Sequence, residues 1–102
     1  AGERARFLAE RKKEGPGRIR HRLRRAGIDE ALIDEALGEL PAGWQRRTAE
    51  ELARSRITTE ADRRTVRRVN GYLSRRGFDG SVVADICARI MRGELKENDN
   101  ER

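Results

Sequence analysis

Apolar residues recur along this chain at spacings of three and four, the period of helices that bury one stripe each. The clearest run is Leu-Arg-Arg-Ala-Gly-Ile-Asp over residues 23 to 29, followed by Leu32, Ile33, Ala36, Leu37 and Leu40. It returns about fifty residues later as Leu-Ser-Arg-Arg-Gly-Phe-Asp over residues 73 to 79, followed by Val82, Val83, Ile86, Cys87 and Ile90. The match reaches upstream, where Ile19 faces Val69, and it sets Gly27 against Gly77 and Asp29 against Asp79. Surface positions drift, as Ala31 against Ser81 and His21 against Gly71 show. A repeat of this size predicts stacked helical units, each too small to bury its apolar face alone.

The pattern predicts six helices. In the first unit they cover residues 3 to 13 (Ala5, Leu8 and Ala9 inward, Phe7 beside them), 16 to 26 (Ile19, Leu23 and Ala26 inward) and 30 to 40. In the second unit a helix opens at Trp44, a fifth ends near Arg76 with Val66, Val69, Tyr72 and Leu73 inward, and a sixth runs from residue 80 to 92. Ala49, Leu52 and Ala53 mirror Ala5, Leu8 and Ala9 at an offset of 44, so the six additional residues fall around 57 to 62. Gly15 is placed to cap the second helix, with Pro16 at its first position, where a missing N–H costs nothing. Gly27 and Gly77 sit where a left-handed residue would end a helix, and Asp29 and Asp79 where an N-cap would start the next. Ile28 with Ile33, and Phe78 with Val83, are then hydrophobic-staple pairs, while Thr59 with Asp62 resembles a capping box. Pro41-Ala42-Gly43 breaks the third helix and links the units. The expected fold class is all-α: two tandem three-helix repeats, residues 1–42 and 43–93, in an elongated, curved array, with 94–102 as a polar, disordered tail.

Composition agrees with charged, amphipathic helices: 35% hydrophobic, 41% charged and only 4% aromatic residues in 102. A disordered chain of similar charge would have no reason to keep helical spacing. One cysteine precludes an intramolecular disulfide, and no apolar run approaches the length of a membrane span or signal peptide, so the expected setting is the cytoplasm. The absence of an initiating methionine, with the chain opening inside a helical pattern, reads as a piece of a longer protein.

The net charge of +6 is unevenly laid out. Residues 1–28 carry ten bases against three acids, and residues 29–42 five acids and no base. Residues 43–76 carry ten bases against four acids, and residues 77–102 four bases against six acids. Each repeat therefore opens basic and closes acidic, which predicts two electrostatically distinct faces and an anionic partner. Of 24 basic residues 21 are arginine, whose planar guanidinium suits bidentate binding to phosphate or carboxylate. Helical spacing puts Arg18, Arg22 and Arg25 on one outward row, with Arg20, His21 and Arg24 close by, and Arg64, Arg67, Arg68 and Arg75 on another. These seven arginines are the candidate partner- or phosphate-binding residues, and stacking of the repeats should join the rows into one face.

No catalytic constellation is present in the pattern. His21, the only histidine, stands on the arginine-rich outer face with no nucleophile to serve, and Cys87 aligns with Leu37 as a small core hydrophobe. Neighbouring acids, Asp34-Glu35 and Glu50-Glu51, point about a hundred degrees apart on their helices. The glycines are explained by caps and turns rather than by a phosphate loop. No cofactor or metal is expected, and Trp44 is read as packing between the repeats.

With the repeat in view, a basic helix ending in Leu-x-x-x-Gly-Ile/Phe-Asp, then an apolar helix, resembles the RecX family of regulators of the RecA recombinase. The segments that carry the likeness are residues 17–28 with Leu32 to Leu37, and residues 69–78, whose closing Tyr-Leu-Ser-Arg-Arg-Gly-Phe is especially similar. It covers the chain from about Glu3 to Ile90. Proteins of that family are built from three tandem three-helix repeats, and this chain resembles the second and third. The resemblance implies a non-enzymatic, elongated helical protein that lies along a RecA filament and limits its assembly and activity. It carries over no catalytic residue.

The leading expectation is a monomeric filament-binding regulator whose basic face meets acidic protein surface or phosphate, with single- or double-stranded DNA a further partner and no membrane contact. The alternative is a stand-alone basic helical nucleic-acid-binding module. Nearly bare arginine on the second and fifth helices suits phosphate or carboxylate and gives little base discrimination, which favours the first. A helical scaffold with no nucleic acid nearby is a third reading.

Overall fold

The computed structural model describes residues 1–57 and 62–96. Within them the chain forms six α-helices and no strand: α1 (Gly2–Glu10), α2 (Pro16–Arg25), α3 (Glu30–Gly38), α4 (Trp44–Arg54), α5 (Arg63–Arg75) and α6 (Gly80–Met91). Two apolar clusters form, one per unit. Ile19, Leu23, Ile33 and Ala36 of α2 and α3 close on Ala5, Leu8 and Ala9 of α1. Val69, Leu73, Val83, Ile86 and Ile90 of α5 and α6 close on Ala49 and Ala53 of α4. The molecule is elongated, 43 × 26 × 19 Å.

The corners repeat in detail. Gly27 has φ +86° and Gly77 φ +92°. At each, the glycine and the apolar residue after it donate back to the ending helix: Gly27 to Arg24 and Ile28 to Leu23, then Gly77 to Ser74 and Phe78 to Leu73, all within 3.2 Å. These are Schellman closures, and Gly93, also left-handed, makes a third through Gly93 to Ile90 and Glu94 to Arg89. The third turns Leu95, in the stretch read as a polar tail, back into the second core, where it is fully buried. Residues 97–102 of that stretch lie outside the described residues.

Several sequence expectations are corrected. Leu32, assigned to the buried stripe, is 51% exposed, because it faces Ala1 and Gly2 of α1, whose side chains cover almost nothing. Ala26 caps α2 in the open rather than pointing inward. Asp29 and Asp79 occupy the N-cap positions, but neither carboxylate caps its helix. Instead Gln45 of α4 accepts from the Asp79 backbone N–H (2.7 Å) and donates to its carboxylate (3.1 Å). On α5 the cap is Asp62 itself, whose Oδ1 accepts from the Thr65 N–H at 2.9 Å; Thr59, the residue read as the cap, lies outside the described residues.

The units are joined by backbone at a glycine crossing. Gly15 N–H donates to the Arg76 carbonyl at 2.7 Å and Gly17 N–H to the Gly77 carbonyl at 2.8 Å. The start of α2 thus satisfies carbonyls left over at the end of α5, two helix termini with complementary orphan groups. Arg76 reinforces the joint, donating from Nε to the Lys13 carbonyl (3.1 Å) and from Nη2 to that of Lys12. Its guanidinium, with that of Arg56, also stacks on Tyr72. Trp44 packs against the first core from the start of α4, as expected of a residue between repeats.

Cys87 is buried, its thiol 3.8 Å from the Val66 carbonyl, and burial pushes its pKa up, with a hydrogen bond from Asn70 opposing. It is expected to resist thiol reagents until the protein unfolds. Cys87→Ser should destabilise by about 1–3 kcal/mol, since a hydroxyl at the sulfur's place stands too far from the Val66 carbonyl to bond it. Labelling kinetics with and without denaturant, and a denaturation midpoint, check both statements.

Candidate partner-binding face

Glu14 organises the arginines nearest the joint. It is only 4% exposed, and Arg22 grips it with Nε 2.8 and 2.9 Å from the two carboxylate oxygens while Arg18 approaches to 3.5 Å. Arg18 also donates to the Arg75 carbonyl at 3.1 Å, which ties α2 to the end of α5. The sequence marks this carboxylate only as the end of a helix; its spacing of four and eight to Arg18 and Arg22 is the signal that could have found it.

Around that anchor the candidate residues fall into a connected surface and an outlier. Arg18, His21, Arg22 and Arg75 line one concavity of about 440 Å³ with Gly77. His21 and Arg22 also border an adjoining one of about 400 Å³ with Arg4 and Arg25. Arg64 and Arg68 continue along α5 on the stripe that ends at Arg75, as spacings of four and seven require. Arg67 does not join them. It lies on the neighbouring stripe and opens onto a separate groove with Arg63, Val66, Asn70 and Met91.

The two units differ most in how their basic helices are neutralised. In the first, the acidic α3 folds back on α2: Arg20 donates to Asp34 (2.8 Å) and Glu30 (3.3 Å), and Arg24 also binds Glu30. Those contacts hold the Glu30 carboxyl below the usual range, the hydrogen bond from Arg24 being the largest cause. Residues fifty further on are Asn70, Ser74, Gly80 and Ala84, so the second unit keeps neither half of this cluster. Its ion pairs run instead between α4 and α6, Arg46 with Asp85 and Glu50 with Arg89. Arg25, Arg67, Arg68 and Arg75 have no carboxylate within 4 Å among the described residues, and three of these four stand on α5.

Because its folded-state pKa is depressed, Glu30 contributes stability that is present above the ordinary carboxylate range and lost as pH falls through the folded value. Glu30→Gln is therefore expected to melt below the parent protein near pH 7 and level with it near pH 2. Melting curves across that interval test the sign; a gap that persists in acid would point to packing rather than charge.

A family model described as the second three-helix domain of RecX matches residues 1–37. A regulatory protein RecX of Mycobacterium sp. (strain KMS) is 35% identical over 79 residues, covering 71% of this chain and 43% of its own length. Proteins of that same name from Mycolicibacterium smegmatis, at 33% over 79 residues (71% and 42%), and Mycobacterium ulcerans, at 37% over 76 residues (71% and 44%), are similar to it as well. The chain spans less than half the length of these curated relatives. No solved structure matches it. The glycine corners and apolar ladders that carry the sequence likeness also build the fold, and relatives of one name align along most of the chain: it belongs to the RecX family.

Proposed function

We propose that the chain is a non-enzymatic regulator that binds RecA filaments through its basic face and inhibits recombinase activity and filament assembly. Family membership supplies the partner, and the observation that supports the face is the run of Arg67, Arg68 and Arg75 on α5, with no carboxylate within 4 Å among the described residues. Such a surface attracts an anionic partner over nanometre distances and fixes it by bidentate contacts, to acidic side chains of the filament or to phosphate of the DNA within it. Arg18 donates to the Arg75 carbonyl across the joint, so the spacing of these contacts is set by the fold rather than by a loop.

Co-sedimentation with RecA filaments, set against the same DNA without RecA, tests the reading. Retention by filaments well above retention by DNA alone is expected. Equal retention would favour the stand-alone nucleic-acid module, which the concavity lined by Arg18, Arg22 and Arg75 would suit; no retention by either would remove both.

A further inference from the structure

The groove beside Arg67 has a different chemistry from the rest of the basic face. It measures about 390 Å³ and is lined by Arg63, Val66, Arg67, Asn70 and Met91. Met91, the last residue of α6, is 52% exposed, an unbranched, polarizable side chain of the kind that adapts to a partner's surface. Val66 gives the groove an apolar floor, and Arg63 and Arg67 stand over it with no carboxylate within 4 Å among the described residues. The first unit has no such pair of arginines at this edge, since the residues fifty before Arg63 and Arg67 are Lys13 and Gly17.

We propose that the α5–α6 groove is a docking site for an acidic protein segment bearing an aliphatic side chain, the aliphatic group seated on Val66 and Met91 and its flanking carboxylates on Arg63 and Arg67. Charge complementarity selects the acid, since neither Arg63 nor Arg67 has a carboxylate within 4 Å among the described residues. The apolar floor selects a peptide over a nucleic acid: phosphates would engage the arginines but leave Met91 and Val66 facing water. The site lies apart from the joint concavity but shares Arg67 with the proposed filament-binding face, so its test reads peptide affinity on the chain alone, without RecA.

Fluorescence anisotropy on the full chain tests it, with a short acidic peptide carrying two leucines one helical turn apart and its counterpart with both leucines replaced by serine. The leucine peptide is expected to bind at least about tenfold more tightly. Met91→Glu should erase that preference and Met91→Ala should reduce it, both with unchanged helicity, while Arg25→Glu, on the other concavity, should leave it intact. Equal affinity for the two peptides, or a preference that survives Met91→Glu, overturns the proposal. So does oligothymidylate binding that Met91→Glu abolishes, which would give the groove to nucleic acid. A dimer in sedimentation that Met91→Glu dissolves would give it to a second copy of this chain and likewise overturn the peptide reading.

Discussion

Alanine at Gly77 is expected to break the joint between the two units, whereas alanine at the equivalent Gly27 should cost only about 1–2 kcal/mol, the ordinary penalty of a left-handed side-chain residue. Both glycines have positive φ and close the same kind of helix end. Around Gly27 a Cβ would meet nothing within 4 Å. At Gly77 it would lie 2.4 Å from the Arg18 nitrogen and 2.6 Å from the Arg18 Cβ, in the backbone and root of a helix that cannot step aside. Relief requires the units to separate there, which removes the hydrogen bonds from Gly15 to Arg76 and from Gly17 to Gly77. Each bond exchanged for water costs about 0.5–1.5 kcal/mol, so with the left-handed penalty the total is expected to be about 2–5 kcal/mol, a large share of the stability of a domain this size. Urea unfolding of the two variants distinguishes the cases. Each unit has its own core, so Gly77→Ala should also uncouple the transition, with the two halves unfolding at separate midpoints. Equal losses at Gly27 and Gly77 would mean that the crossing contributes little beyond backbone conformation.

That contrast marks where the sequence was legible and where it was not. Gly27 and Gly77 could be read as equivalent corners because cap and staple residues recur in register, and local backbone chemistry depends on near neighbours. The crossing of Gly77 over Gly15 joins residues more than sixty apart, and no local pattern reports it. Leu32 shows the same limit from the other side. Its spacing places it on the apolar stripe, but burial depends on what stands opposite, and Ala1 and Gly2 provide no cover. Asp29 and Asp79 are correctly placed N-caps whose carboxylates do not serve as caps; Asp79 is held by Gln45, thirty-four residues away.

For the candidate face, helical spacing found the arginines but could not tell neutralised from free. Arg22, one of the row on α2, holds the buried Glu14, and its guanidinium pKa is raised by that hydrogen bond. Arg20 and Arg24 bind acids on α3, a helix whose orientation the charge run alone does not fix. The one-letter difference that matters lies in the repeat itself: where the first unit has Glu14, which binds Arg18 and Arg22, the second has Arg64. Comparing repeats position by position would have flagged α5 as the uncompensated helix. Only the structure could show that Arg67 turns toward Met91 while Arg68 stays with Arg64 and Arg75.

Reversing charge at Arg67 and Arg68 is expected to raise the concentration needed to inhibit RecA-promoted strand exchange by at least about tenfold, since two bidentate contacts at roughly 1 kcal/mol or more apiece are lost and repulsion replaces them. Both side chains are exposed and neither has a carboxylate within 4 Å among the described residues. Surface changes away from such pairs move stability by only about 0.5 kcal/mol, so helicity and melting temperature should hold. The matched change on the acidic helix, Glu30→Gln with Asp34→Asn, releases Arg20 and Arg24 without touching α5, and inhibition should stay within about twofold of the parent. Salt dependence then separates the possible anions. If the arginines contact DNA phosphates, the log–log slope of affinity against salt should fall by about one for each arginine removed; contacts to carboxylates would change affinity with a smaller change in slope. Should the Arg67 and Arg68 double variant inhibit at the parent concentration, that stretch of α5 is a solvated surface, and the partner must be sought at the concavity of Arg18, Arg22 and Arg75 instead.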